Sequence, residues 1–214
     1  MKGHPDYRAA KTGEAEAAFR LVESLVSLDV VESMARRFAE IEPVLVSAHA
    51  VEREGVNAIP EALAEILAER MGWAVENRVV QTNMVSHTGA DGFTRLAKQA
   101  EFSGAIQPGM AYFLVDDFIG QGGTLANLRG WVLEGGGRVL GATVLTGKPY
   151  SAMLVVEAQQ ILELREKHGE ELEEWWRRRF GFGYECLTRS EAYYLVRTPT
   201  VDRIRDRIAA SDEG

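Results

Sequence analysis

The stretch from Tyr112 to Gly147, YFLVDDFIGQGGTLANLRGWVLEGGGRVLGATVLTG, constrains the fold more than any other part of the chain. Four apolar residues, YFLV, read as a buried strand. A helical pattern begins at Thr124, carries Leu125, Leu128 and Val132 on one side and stops at the glycines 135–137. RVLGATVLTG then supplies a second strand. Strand, glycine loop, helix and strand in that order predict two parallel strands joined by a right-handed crossover, because a tight hairpin cannot connect parallel neighbours. The chain is therefore expected to be α/β, an open, mostly parallel twisted sheet flanked by helices.

Between the first strand and the helix stand Asp116 and Asp117, then Gly120, Gln121, Gly122, Gly123 and Thr124. Two carboxylates beside a buried strand are costly unless something satisfies their charge. Glycines 120, 122 and 123 let the backbone turn sharply and approach a ligand, and free N–H groups ahead of a helix form an anion site. A plain strand-to-helix turn explains an isolated GQGGT equally well. The upstream acids add a requirement, since they would repel a phosphate unless they contact something else, such as hydroxyls or a divalent cation. Two familiar phosphate motifs fail on order: Thr124 is followed by Leu125 with no adjacent Lys, and the acids precede the glycines instead of following about 20 residues later.

Upstream, residues 14–40 place apolar side chains at helical spacing with an interruption near Asp29, which predicts two helices. EPVLVSAHA gives a buried strand ending near Ser47. NAIPEALAEILAERMG gives a helix with Pro60 in its first turn and Gly72 as its stop, and a further short strand is expected within 73–82. Residues 157–179 alternate acids and bases as one or two solvated helices, and SEAYYLV and TVDRIRDRIAA are short helix candidates near the C-terminus.

Composition narrows the function classes. With 24 basic and 32 acidic side chains the net charge is −8, which argues against a general nucleic-acid or membrane-surface binder. Cys186 stands alone, so no disulfide framework exists, and no apolar run suits a signal peptide or a membrane span. A soluble, cytoplasmic protein is expected. His4, His49, His87 and His168 have no paired spacing, so zinc has little support.

YFLVDDFIGQGGT resembles the signature of the type I phosphoribosyltransferases: four apolar strand residues, two acids, two apolar residues, two small or polar ones, then Gly-Gly-Thr. The resemblance covers roughly Pro43 to Gly147, and EREGVNAIPEALAEIL further resembles the segment after the first strand in the competence-associated branch of that family. It implies a transferase that uses phosphoribosyl pyrophosphate and Mg²⁺ to attach ribose 5-phosphate to a nucleobase-like acceptor, or alternatively a non-catalytic regulator that binds phosphoribosyl pyrophosphate or a nucleotide. Carried over by position, Asp116 and Asp117 hold the ribose hydroxyls and contact the metal indirectly, while Gly120, Gln121, Gly122, Gly123 and Thr124 wrap the 5′-phosphate. The family often has hydroxyl side chains where this chain has Gly120 and Gln121, so fewer side-chain donors reach the phosphate.

The loop after the first strand contacts pyrophosphate in that family, which makes Arg53 and His49 the matching donors; a solvated base between Glu52 and Glu54, and a structural histidine, are the alternatives. A lid is implied over Met84–Gly104, where Arg95 and Lys98 would steady the departing pyrophosphate, with His87 in the same segment. Arg95 and Lys98 flanking Leu96 read equally as an ordinary helix with its bases in water. Phe180, Phe182, Trp175, Trp176, Tyr184, Tyr193 and Tyr194 either pack or form a base-stacking hood. The expected organisation is a helical segment over 1–42, a core over 43–150 and a helical, aromatic segment over 151–214, with the N- and C-terminal segments contributing to a variable cap. A homodimer is compatible with this picture.

Overall fold

The computed structural model describes residues 1–48, 51–52, 55–83, 91–148, 151 and 153–212. They form two compact units: residues 1–84, 100–119 and 127–147 in the first, and residues 85–99, 120–126 and 148–214 in the second.

The first unit is built on a parallel sheet of four strands: β1 (Val44–Ser47), β4 (Val75–Glu76), β7 (Ala111–Ile119) and β8 (Arg138–Gly147), in the order β4-β1-β7-β8. β7 is an almost unbroken apolar run because a central parallel strand is covered on both faces. It pairs with β1 from Val44↔Tyr112 to Ser47↔Val115, and with β8 on its other side. Helix α4 (Ile59–Met71) lies against β1 and β7 and buries Ile59, Leu63, Ile66 and Leu67. Pro60 occupies its first turn, where a missing N–H costs nothing, and Gly72 ends it with φ 73°, a left-handed conformation that glycine adopts without a Cβ clash.

Three N-terminal helices, α1 (Tyr7–Lys11), α2 (Ala15–Leu25) and α3 (Leu28–Phe38), complete that unit. Leu21 and Val22 of α2 and Val31 and Met34 of α3 join Leu63, Leu67, Phe113 and Val115 in one apolar cluster. The break between α2 and α3 falls at Val26 and Ser27, a turn earlier than the spacing predicts. The Ser27 hydroxyl accepts from Val30 N, which places Asp29 in the first turn of α3, where the helix dipole favours an acid.

The short strand expected within 73–82 is two strands. β4 joins the main sheet, whereas β5 (Val80–Gln81) pairs antiparallel with β6 (Phe102–Ser103). A further two-stranded ladder joins β2 (Val51–Glu52) to β3 (Gly55–Val56). Helix α6 (Gly123–Glu134) follows β7 and ends, as the glycines predict, just before Gly135.

The second unit packs α5 (Gly92–Ala97), α7 (Ala158–Phe180), α8 (Arg189–Arg197) and α9 (Val201–Asp212) around Trp176, Tyr184, Leu164, Leu172, Leu195, Ile204 and Ile208. Gly169 has φ 70° and ψ 173°, so α7 is two helices meeting at a kink. Most of the alternating charges of this segment lie on its outer faces, while Leu164, His168, Leu172 and Trp176 are buried together with Glu173, which Arg165 pairs. No helix among the described residues is long and apolar enough to cross a membrane.

Candidate functional site

The strand order fixes where a ligand site belongs in the first unit. From β1 the chain crosses by α4 to β4 on one side, and from β7 it crosses by α6 to β8 on the other. Connections that depart in opposite directions leave a crevice outside the carboxyl ends of the two strands, the preferred ligand position in open α/β sheets. β1 ends at Ser47, paired with Val115, and β7 continues for four more residues. The first two of those four are Asp116 and Asp117.

The acids therefore lie within the strand, not after it as the four-residue apolar run suggests. Strand periodicity sends consecutive side chains to opposite faces. Asp117 shares the face of Phe113 and Val115, toward α4. Its Oδ2 accepts from Asn57 Nδ2 at 3.1 Å and lies 3.4 Å from Lys11 Nζ. Asn57 in turn accepts from Ile59 N at 3.2 Å, so the start of α4 holds the amide that holds the acid. Asp116 uses Oδ1 to accept the Asp117 N–H at 2.7 Å, an N–H that lies beyond the last β1 pair. Both acids are buried. Burial, reinforced by the neighbouring Asp117 charge, holds the Asp116 carboxyl well above the usual carboxylate range. The pair thus divides into a neutral-leaning Asp116 and a cation-paired Asp117.

This arrangement does not fit a divalent cation as a direct cage. Asp117 Oδ2 already faces an ammonium and an amide, and burial opposes charge on Asp116. Among the described residues no group of three or more His, Cys, Asp or Glu could hold a metal ion.

The chain next enters the glycine loop, which belongs to the second unit. Gly122 has φ 88°, a left-handed conformation, and Ala126 N donates to Gly122 O at 2.9 Å as α6 starts. Two residues far along the chain hold this loop, and a third lies beside it. Ser151 Oγ donates to Gly120 O in a short hydrogen bond, and Thr188 Oγ1 donates to Gln121 O at 2.8 Å. At Gly123 a Cβ would lie only 2.7 Å from Glu191 Oε1. Among the described residues, the buried Gln121 Oε1 has no hydrogen-bond partner. The loop therefore has a fixed backbone and one polar group left for a ligand to satisfy.

The other residues singled out from the sequence are dispersed. Arg95 lies in α5, and Lys98 directly follows that helix. Phe93, Leu96 and Ala97 of the same helix are buried in the aromatic cluster. His49, Arg53 and His87 lie outside the described residues. Trp176 and Tyr184 are fully buried, and Phe180 stacks against Phe182 at 6.1 Å, so these aromatics pack. Tyr193 is exposed, with Arg197 over its ring. Sequence reasoning missed Lys11, Ser151, Thr188 and Glu191. Only the last two left a signal, the T-x-x-E pattern of a helix capping box, which the structure realises at the start of α8.

No family model matches the chain. It is similar to Protein TraN of Escherichia coli, with 42% identity over 211 residues that take in 99% of this chain and 47% of that protein. It is also similar to an uncharacterized protein of Haemophilus influenzae, with 36% identity over 131 residues, 61% of this chain and 29% of that protein. The chain spans about half the length of the first of these curated relatives, as its 47% share states.

Among solved structures, one adenine phosphoribosyltransferase aligns with TM-score 0.41 and 15% identity, over 65% of this chain and 72% of its own. The enzyme of the same name from Rhodothermus marinus gives 0.39 and 18%, over 70% and 72%. That from Leishmania donovani gives 0.40 and 10%, over 79% and 76%. Likeness at this level leaves any assignment of activity to the chain's own residues.

Proposed function

We propose that the chain binds a ribose 5-phosphate moiety, with Asp116 and Asp117 at the ribose and Gly120–Thr124 at the phosphate, and that it transfers this group from phosphoribosyl pyrophosphate to a nucleobase-like acceptor. The observation that carries the reading is the placement of the acid pair at the switch point of the parallel sheet, immediately before a glycine loop that opens a helix. A ribose offers vicinal hydroxyls to carboxyl groups, and its 5′-phosphate suits backbone N–H groups at a helix start.

In this reading Asp117, oriented by Asn57, accepts a ribose hydroxyl, and Asp116 makes the second polar contact. The acceptor nitrogen forms a bond to C1 as the C1–O bond to pyrophosphate breaks, with the electron pair leaving on pyrophosphate. Positive charge develops at C1 in between, and a nearby carboxylate favours it. Arg95 and Lys98, with Arg53 and His49, are proposed to meet the departing pyrophosphate, to which cationic donors are suited. Magnesium, in this proposal, travels with the diphosphate; no step is assigned to it. A homodimer is compatible with the reading.

The pairing of Asp117 with Lys11 favours a second reading, a sensor that binds the same sugar phosphate and regulates a partner. A cation-paired acid beside a neutral-leaning one puts less negative charge near C1 than two free carboxylates would. Pyrophosphate release, measured with phosphoribosyl pyrophosphate and Mg²⁺ across purine, pyrimidine and pyridine bases, separates the two. Product from any base supports the transferase. Tight binding without product from the whole panel supports the sensor, and absence of binding removes both.

A further inference from the structure

The glycine loop is held by two residues, Ser151 and Thr188, that no sequence motif connects to it. Ser151 fixes Gly120 O and Thr188 fixes Gln121 O, so two successive carbonyls of the loop are committed and its backbone orientation is set. Thr188 is fully buried, and its hydroxyl also accepts from Glu191 N at 3.1 Å. Glu191 Oε2 accepts from Thr188 N at 2.8 Å, which turns the remaining oxygen, Oε1, toward Gly123. A Cβ at position 123 would lie 2.7 Å from that oxygen, so any larger residue there would displace the carboxyl group.

We propose that Glu191 is a positioning residue and charge gate for the glycine loop: with Thr188 and Ser151 it braces Gly120–Gly123, and its ionised form opposes an anion bound at the start of α6. The inference rests on the phosphate reading of that loop. Burial raises the Glu191 carboxyl to about 7, against hydrogen bonds from Thr188 that favour the charged form. Its ionisation therefore straddles neutral pH.

Several charged groups on the elements packed against α8 are engaged elsewhere. On α7, Arg165 pairs with Glu173, while Lys167 bonds Val196 O and His168 bonds Leu195 O. Glu157, which caps α7, pairs with Arg189 of α8 itself. On α8, Arg197 bonds Tyr193, and beside α5 Asp91 pairs with Arg207. Glu191 is the buried acid of the second unit that lies beside Gly123. Protonated, it leaves the loop free to take an anion. Ionised, it places a like charge near the phosphate, which at a cost of one pKa unit weakens binding by about tenfold.

The test titrates ribose 5-phosphate into the full chain at pH 6.0, 7.0 and 8.5 and compares the wild type with Glu191→Gln. The ligand's own ionisation is common to both proteins and cancels in the ratio. The wild type should lose about tenfold relative to the variant across that range. Thr188→Val should weaken binding at every pH and, because it removes a hydrogen bond that favours the ionised Glu191, should also shrink the loss on raising the pH; Thr188→Ser should restore both. Carbon-13 carboxyl NMR of the wild type provides a readout independent of any variant: saturating ribose 5-phosphate should raise the Glu191 midpoint by about one pH unit, since the coupling is reciprocal. A midpoint unmoved at saturation overturns the gate while the site stands. Failure to saturate at any pH overturns the site and the gate together.

Discussion

At the scale of single residues, the two acids are chemically unequal although the sequence writes them as a pair. Asp116 has its carboxyl pushed above the usual range by burial, so its contribution to stability is present below about pH 4 and is lost as pH rises through the raised value. Asp116→Asn removes that loss. Urea unfolding from pH 4 to 8 should show the variant gaining on the wild type, by at most about 1.4 kcal/mol per pH unit. Asp117→Asn should act on the ligand instead. A charge-assisted hydrogen bond is worth roughly 1.5 to 3 kcal/mol, so calorimetry should find ribose 5-phosphate bound about tenfold or more weakly. The acid pair and the glycines were legible because residue type and order carried them. Their partners were not: Lys11 is 106 residues from Asp117, and a single lysine in a five-residue helix has no local signature.

At the scale of elements, legibility followed length. α4, β7, α6 and β8 are long, periodic and punctuated by Pro60, Gly72 and the glycines 135–137, and each was readable. β4, β5 and β6 have two residues each, too few to show any period, and only tertiary pairing defines them. α5 was the ambiguous element, a lid or an ordinary helix. Asp91 caps it through Thr94 N, and Phe93 packs edge-on against Tyr194 at 5.0 Å. Trypsin should therefore spare Arg95 in the native protein. Phe93→Ala removes a buried ring, a loss of about 3 to 5 kcal/mol for such a site, and should make Arg95 and Lys98 the first cleavage points by mass spectrometry. Early cleavage at Arg95 in the unaltered protein would return the segment to the lid reading.

At the scale of the whole molecule, the net charge of −8 and the parallel sheet were both implied by the sequence, whereas the division into two units was not. The chain passes between units at Gly120 and again at Asn127, inside one continuous strand, loop and helix, and local pattern contains no information about such a change. The same short stretch holds the central claim, that the amides of the glycine loop bind the phosphate of a sugar phosphate whose ribose lies at the acids. Hydrogen exchange read amide by amide over residues 112–126, with and without phosphoribosyl pyrophosphate and Mg²⁺, tests it directly. The account predicts slower exchange for the amides of Gly120 through Leu125, and loss of that protection in Asp117→Asn at the same ligand concentration. Exchange in this loop that is unchanged at a ligand concentration shown by calorimetry to saturate the protein would contradict it.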